Sequence, residues 1–172
     1  MTHQDLLALL LSGKTLWNRW RQAYPDVQAF EPDLHNAQLH GSNLRGFDLH
    51  GADLTEANLQ EADLQEADLQ DADLRHADLK RANLSDANLQ KANLHGADVR
   101  GAILCRTNLK GGDLSNVDLR GTDLRGADVK RAIFDHATFD EANVSPLELK
   151  RCLEATGREP ETVSAQQDTP AA

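Results

Sequence analysis

Four histidines could lie on one side of the folded chain and supply ligands for a metal ion. They are His35, His76, His95 and His136. Glu56, His76 and His95 together offer the imidazole and carboxylate groups that Zn²⁺ binds in proteins. These residues are expected at exposed positions of a convex surface, where no neighbouring groups would hydrogen-bond to the ligands and orient them. We therefore predict no specific metal site and no cofactor, with a site built from these three residues as the alternative.

Aspartate or asparagine recurs at almost every fifth residue, and columns of carboxylates can bind cations or act as acid–base pairs. Because they recur in nearly every repeat, we interpret them as local hydrogen-bond acceptors for the backbone at corners. Cys105 is followed by Arg106, which alone is weak evidence for a reactive thiolate. The sequence contains no phosphate-binding loop and no nucleophile elbow. It therefore predicts a protein that is not an enzyme.

These residues belong to a five-residue repeat between Pro32 and Ser145. Leucine or another apolar residue, position i, recurs at every fifth residue from Leu34 to Val144, 23 times in all. Position i−2 is mostly alanine, and a period of five fits neither a helix nor a long strand. In extended backbone i−2 and i point to one side, so the chain must bend at i+1 and i+2 before the next inward residue. A bend every five residues closes the chain into stacked coils, a solenoid.

Glycine marks many of the expected bends at position i+2, where a type II turn needs a positive φ. These glycines are Gly41, Gly46, Gly51, Gly96, Gly101, Gly111, Gly121 and Gly126. The segment Ala52 to Lys91 has no glycine at this position, and bulky residues resist a positive φ. We therefore expect a positive φ at Gly101 and Gly121, but a different turn type, without it, at Glu61 and Arg81.

The A(D/N)LXX pattern resembles the pentapeptide repeat proteins. The stretch LLLSGKTLWNRWRQAYPD is similar to the N-terminal segment of many bacterial members, in which a W-N-x-W-R run precedes the first coil. The resemblance implies an all-β solenoid, a right-handed quadrilateral β-helix with about 20 residues per coil and hence nearly six coils. At a strand spacing of roughly 4.8 Å the rod would be on the order of 28 Å long. The expected core ladder includes Leu54, Leu59, Leu64, Leu69, Leu74, Leu79, Leu84, Leu89 and Leu94.

Residues 1–31 precede the repeat region, 32–145, and are predicted to form an N-terminal helical cap. Helices are expected over Asp5 to Leu11 and Lys14 to Tyr24, with Leu16, Trp17 and Trp20 on one face of the second. A cap would cover the apolar layer and the unpaired backbone of the first coil. A docking site for a partner is the alternative for the two tryptophans. Phe47, too large for a usual i−2 position, is expected to pack against these helices.

Residues 146–157 are predicted to form a second helical cap. Ser145 and Pro146 suit the start of a helix, and Gly157 suits its end. Leu149, Cys152 and Leu153 would form its apolar stripe. Residues 158–172 are polar and are predicted to be a disordered tail.

Residues 20 apart are expected to stack, so outward side chains should form columns on the surface. A basic column and an acidic column are expected two residues apart on the same strands. They comprise Lys80, Arg100 and Arg120, with Asp78, Asp98 and Asp118. We interpret the pair of columns as a self-neutralising surface, with a partner-binding stripe as the alternative. Ile103 and Ile133 occupy outward positions and are expected to pack locally under the C-terminal segment.

The composition limits the class of protein. The 172 residues suit one domain, and a net charge of −10 argues against nucleic acid held by simple electrostatics. Two cysteines suit a reducing cytoplasm, which is the predicted location. The apolar run Leu6 to Leu11 lacks the flanks of a signal peptide, and no run is long enough to span a membrane.

The function predicted from the sequence is that of a non-catalytic scaffold. A rod with a filled core offers no deep pocket, so we expect a rigid surface that binds another protein, in a monomer or weak homodimer. The alternative is a DNA-mimicking modulator of type II topoisomerase, because some pentapeptide repeat proteins resemble B-DNA and protect gyrase from quinolones. This chain shares the negative charge, but its acidic columns alternate with Lys and Arg. A continuous negative face would favour the mimic.

Overall fold

The structure of the protein is a computed structural model that describes residues 2–23, 31–145, 147, 150 and 152. Helix α1 spans His3–Leu11 and begins with a capping box. The Thr2 hydroxyl accepts a hydrogen bond from the Asp5 backbone N–H (3.2 Å), and the Asp5 carboxylate accepts one from the Thr2 N–H (2.9 Å). Because this box satisfies the free N–H groups of the first turn, α1 starts two residues earlier than predicted.

Helix α2 spans Lys14–Ala23 and follows α1 directly, because Gly13 takes a φ of +109° between them. Its inner side is narrower than predicted. Trp17 is fully buried and Trp20 partly buried, and their rings lie 5.2 Å apart. Leu16 was expected on the same face but is 49 % exposed. The error has a geometric cause, since adjacent residues on a helix lie about 100° apart.

The repeat region forms coils of 20 residues. Parallel single-residue bridges join residues 20 apart, from Asp33 with Asp53 to Asp123 with Asn143. Within the described residues, extended structure is confined to these bridges, which fall at the i−1 position of each repeat. Their hydrogen bonds are short, as in Leu34 N–H to Asp53 O at 2.8 Å. Four repeats therefore complete each coil and give the solenoid four outward faces.

Two of these four faces differ in charge and are named by the repeats that form them. The histidine face comprises the repeats centred on Leu34, Leu54, Leu74, Leu94, Leu114 and Phe134. The ladder face comprises the repeats centred on Leu39, Leu59, Leu79, Val99, Leu119 and Phe139.

Apolar side chains fill the inside of the coils. The leucines at position i from Leu54 to Leu94 are fully buried, and the alanines at i−2 between them are at most 1 % exposed. Two threonines replace alanine near the far end, where Thr107 Oγ1 donates to the Leu84 carbonyl (2.8 Å). Phe134 and Phe139 then widen the core, with ring centroids 5.5 Å apart. The interior is thus a continuous stack of side chains, as in an ordinary close-packed core.

The corners follow one conformation, whether or not they contain glycine. Gly101 and Gly121 have φ of +66°, but Glu61 and Arg81 have φ of +58°, so the prediction of two turn types was wrong. The physical reason is the hydrogen bonding around each corner. The Glu61 N–H donates to Lys80 O of the next coil (2.9 Å), and Ala62 N–H closes the turn onto Leu59 O (3.1 Å). These bonds hold the left-handed conformation, which costs a bulky residue only a modest strain.

We expect the corner conformation to control tolerance to substitution at Gly121. Gly121→Val should lower the free energy of unfolding by about 1–3 kcal/mol, because a β-branched residue fits a positive φ poorly. Gly121→Asn should cost less, because asparagine enters this region readily. The nearest atom to an added Cβ, Gly101 N, is 4.0 Å away, so crowding does not contribute. Urea unfolding of both variants tests this, and equal losses would contradict it.

The C-terminal segment is described only in part. Leu147, Lys150 and Cys152 are helical, and Cys152 is buried whereas Leu147 is exposed. Leu149 and Leu153, the predicted C-terminal cap residues, lie outside the described residues, as does the predicted tail 158–172. The second helical cap therefore stays a prediction.

Candidate functional site

The first coil is bonded to side chains of α2. Trp17 Nε1 donates to Asp48 O (2.6 Å), and Asn18 Nδ2 donates to Gly46 O (3.0 Å). Asn18 Oδ1 in turn accepts from the Asp48 N–H (3.0 Å). Arg21 donates to the carbonyl of His50. Four backbone groups at the edge of the first coil are thus paired by side chains instead of by another coil.

Asn18 and Arg21 were missed by the sequence reasoning, which used only the two tryptophans of the W-N-x-W-R run. The signal was present, because an amide and a guanidinium beside buried tryptophans offer the donors that an open coil edge lacks. Phe47 lies in the same region and is 4 % exposed. A buried Nε of Arg21 also lies 3.5 Å from Asp48 Oδ1. The motif therefore combines apolar cover with backbone recognition.

On the ladder face, acidic and basic side chains alternate along the solenoid axis. Lys80 Nζ lies 2.8 Å from Asp78 Oδ2 and 3.7 Å from Asp98 Oδ2. Arg100 pairs with Asp98 at 2.6 Å and approaches Asp118 at 3.6 Å. The last pair joins Arg120 to Asp118 at 2.6 Å. Each cation thus sits beside the carboxylate of its own repeat, and Lys80 and Arg100 also approach that of the next coil.

The ion pairs shift the pKa values of charged side chains on the ladder face. The hydrogen bond from Arg120 lowers the pKa of Asp118 to about 2. Burial raises the pKa of Asp98, but hydrogen bonds from Arg100 outweigh it and leave that pKa below its usual value. The hydrogen bond to Asp78 raises the pKa of Lys80. These shifts favour the charged forms of Lys80, Asp98 and Asp118, and opposite charges on this part of the ladder face lie side by side.

These pairs predict how stability depends on pH. On the neighbouring face, Arg125 likewise lowers the pKa of Asp123 to about 2. A carboxylate whose pKa is depressed in the folded state stabilises the fold above its unfolded pKa, near 3.8, and loses this contribution as pH falls toward 2. Replacing Arg120 and Arg125 with glutamine should therefore move acid unfolding to higher pH. Circular dichroism during acid titration measures this.

The matched control for the acid titration is Arg81→Gln. Arg81 is also a corner-side cation, but its side chain is 77 % exposed and lies 3.4 Å from Glu61. We expect its acid midpoint to stay at the wild-type value. The proposed role of the Arg120–Asp118 and Arg125–Asp123 pairs is contradicted if the double variant and the Arg81→Gln control unfold at the same pH.

The histidine face brings together some of the predicted histidines. The rings of His76 and His95 lie 5.8 Å apart in an edge-to-face arrangement, and His95 Nδ1 is 2.7 Å from Ser115 Oγ. Glu56 does not complete a metal site with them. Among the described residues, one group alone places three potential ligand atoms within 4.8 Å of one another: His3, Asp33 and His35. The alternative metal site at Glu56, His76 and His95 is therefore not assembled.

The histidine face is also the most acidic of the solenoid. Its described outward positions hold one arginine, Arg75, which pairs with Asp73 at 2.6 Å. Its carboxylates are Asp33, Asp53, Glu56, Asp73, Asp113 and Asp135. Six carboxylates against one guanidinium leave this face more negative than the ladder face, where six carboxylates stand against four cations.

Further candidates from the sequence lie at the surface or near it. Ile103 and Ile133 are 39 % and 44 % exposed and lie on different faces. Cys105 is half-buried, and burial together with its hydrogen bond to Asp123 raises the pKa of its thiol. A raised pKa is the opposite of what an activated thiolate needs.

Comparison with known proteins agrees with this architecture. The family described as Pentapeptide repeats (8 copies) matches residues 33–71, 67–106 and 113–145. A solved pentapeptide repeat protein, Rfr23 from the cyanobacterium Cyanothece 51142, is 30 % identical over 71 % of this chain and 95 % of its own, with a TM-score of 0.58. No curated protein matches the chain.

Two other solved structures match the chain at lower structural similarity. HetL from Nostoc sp. strain PCC 7120, involved in heterocyst differentiation regulation, is 33 % identical over 64 % of this chain and 60 % of its own, with a TM-score of 0.39. QnrB1, a plasmid-mediated fluoroquinolone resistance protein, is 14 % identical over 66 % of this chain and 81 % of its own, with a TM-score of 0.40.

Within the described residues, no helix is long and apolar enough to cross a bilayer. From the length of the family match and the 20-residue coils, the chain belongs to the pentapeptide repeat family.

Proposed function

We propose that this protein is a non-catalytic scaffold whose histidine face binds a basic surface of another protein. The observation that carries the proposal is the charge contrast between its faces. Six carboxylates and one arginine occupy the histidine face, whereas on the ladder face Lys80, Arg81, Arg100 and Arg120 pair with four of the six carboxylates. A face of one sign attracts a partner of the opposite sign and orients it, and a self-paired face does neither.

The solenoid suits this role because its surface is held rigidly. In the middle coils, bridges to the coils on both sides fix the i−1 residue of each repeat, closed turns fix its corner, and the core beneath is fully packed. A preorganised surface loses little conformational entropy when it binds. The same packing supports a non-catalytic role, since a filled interior leaves no room for a buried substrate.

The remaining parts of the proposal concern architecture and location. We infer a right-handed quadrilateral coil, as in the family, with residues 1–31 as an N-terminal cap whose Trp17 and Trp20 cover the first coil. The backbone bonds from Trp17 and Asn18 support the cap. A cytoplasmic location, with the chain as a monomer or weak homodimer, is supported by its low content of two cysteines and by its net negative charge.

Two charge-matched variants test the binding face. The first replaces Glu56, Asp113 and Asp135 on the histidine face with glutamine or asparagine. The second makes the same change in charge at Glu61, Asp140 and Glu141 on the ladder face. In affinity capture from the native cell extract, we expect a basic partner that elutes with salt. The first variant should lose it, the second should keep it, and equal retention would contradict the proposal.

Modulation of type II topoisomerase by DNA mimicry is the alternative function, and the acidic histidine face favours it. Charge density opposes it. B-DNA carries one negative charge per about 1.7 Å of its axis. The six carboxylates of the histidine face extend over a rod on the order of 28 Å long, estimated from the spacing between strands. The ion pairs of the ladder face lower the net negative charge of the rod still further below that of B-DNA.

A gyrase assay separates the two functions. In DNA supercoiling by purified gyrase, we expect the inhibitory concentration of ciprofloxacin to stay unchanged when this protein is added in about tenfold excess. The comparison is the histidine-face variant, which should behave identically. Protection by the wild-type protein, lost in that variant, would replace the scaffold with the mimic.

A further inference from the structure

Two histidines and an aspartate meet where α1 rests on the first coil. His35 Nδ1 lies 2.6 Å from Asp33 Oδ1, and His3 Nδ1 lies 3.4 Å from the same oxygen. The rings of His3 and His35 are 5.0 Å apart. The ligand atoms of all three residues lie within 4.8 Å of one another. His3 comes from α1, whereas the other two belong to the first repeat of the histidine face.

Two of the three ligand separations fit a first-row metal ion after a small adjustment, and the third, between His3 and His35, lies within 4.8 Å. Ligands about 2.0–2.1 Å from a tetrahedral Zn²⁺ are about 3.3 Å apart. The separation of 3.4 Å between His3 and Asp33 already matches this, and the pair at 2.6 Å must open by less than about 1 Å. The Asp33 carboxylate is oriented by the backbone N–H of His35 (3.3 Å). The side chains are between one third and one half exposed, so an ion can reach them.

We propose that His3, Asp33 and His35 form a binding site for a divalent transition-metal ion, Zn²⁺ or a close analogue. Two imidazoles and one carboxylate favour such an ion over Mg²⁺ or Ca²⁺, which take oxygen ligands. The negative charges of Asp53 and Glu56 on the next coil act on His35 and further favour a cation. Water completes the coordination at the open side. On binding at Nδ1 of His35, the ion takes the place of the proton between this nitrogen and Asp33, and that proton leaves to water.

The site has a structural consequence, because its ligands come from two parts of the fold. His3 Nδ1 now bonds to the Asp33 carbonyl at 3.0 Å, so α1 is held at this point by one part-buried hydrogen bond. A metal ion would replace it with a coordinate link between α1 and the first coil. We therefore expect metal to stabilise the N-terminal helices against local opening. The bound ion would thus cross-link α1 to the first coil at the N-terminal end of the solenoid.

The test uses the full chain without an affinity tag, Co²⁺ as a spectroscopic probe and Zn²⁺ as a competitor. We expect one Co²⁺ per chain with the visible absorption of tetrahedral coordination, displaced by one equivalent of Zn²⁺. The melting temperature should rise with Zn²⁺ concentration, and amide exchange in α1 should slow. His3→Gln and His35→Gln should each weaken binding by at least about tenfold, since even the loss of a supporting group costs that much.

His40→Gln is the matched control. His40 occupies the same position of the next repeat in the first coil, but lies on the ladder face and outside the cluster. It should bind Co²⁺ as the wild type does. The proposal is overturned if His35→Gln keeps wild-type affinity, or if Zn²⁺ leaves both the melting temperature and the exchange of α1 unchanged. A melting temperature of each variant without metal shows that it folds.

Discussion

Trp17→Ala is expected to lower the free energy of unfolding by about 3–5 kcal/mol, a typical cost for a buried large aromatic side chain. Trp17 is fully buried and donates its indole N–H to Asp48 O at 2.6 Å. Truncation therefore removes apolar contacts and also leaves a carbonyl of the first coil without its partner. Chemical denaturation followed by far-ultraviolet circular dichroism measures the loss.

Leu16→Ala provides the control for Trp17, because it changes the adjacent residue of the same helix. Leu16 is 49 % exposed, so its loss should cost about 0.5 kcal/mol or less. Tryptophan emission of the native protein should be blue-shifted and should move to longer wavelength on unfolding. Similar losses for Leu16 and Trp17, with the emission of solvated tryptophan, would instead favour a docking role for α2.

The second large effect is expected in the middle of the solenoid. Leu84→Ala should lower the free energy of unfolding by about 2–5 kcal/mol, because it opens a cavity in a core whose neighbouring leucines are also buried. Leu84 is fully buried, and the leucines of the coils above and below it, Leu64 and Leu104, are fully buried too. Its backbone is fixed on both sides by bridges, so the coil cannot easily collapse into the space.

The control for Leu84 is Gln70→Ala. Gln70 lies at an outward i+1 position, and its amide donates to the exposed carboxylate of Asp71 (3.0 Å). We expect a loss of about 0.5 kcal/mol or less. Thermal or urea unfolding of both variants tests the assignment of inward and outward positions. Comparable losses at the two positions would contradict it.

The period of the sequence was enough to predict stacked coils, but not their size or how the chain turns. The family resemblance supplied the coil of four repeats, and with it the bridge between Asp78 and Asp98 follows. The conformation at Glu61 and Arg81 was predicted wrongly from side-chain size. What decides it is a backbone hydrogen bond to the next coil, which has no local signature in the sequence.

The contacts around the N-terminal helices show a second limit of prediction. Helical periodicity placed both Trp17 and Leu16 on the inner face of α2. Only Trp17 is buried, because a ten-residue helix with one supporting surface has a narrow inner face. The cluster of His3, Asp33 and His35 was not foreseen for a related reason. His3 and Asp33 are 30 residues apart in the sequence, and the repeat pattern does not indicate where α1 packs against the first coil. Long-range placement of a helix needs tertiary contacts.

The constant spacing of the bridges has a consequence for insertions and deletions in the gene. Removing residues 87–91 would shift every later residue by a quarter turn and place Arg100 beside Arg75 instead of Lys80. Removing 20 residues would shorten the rod by one coil, about 4.8 Å, and leave every column in register. Changes in length are therefore compatible with a retained surface in steps of whole coils. Smaller steps preserve the fold but exchange one face for another.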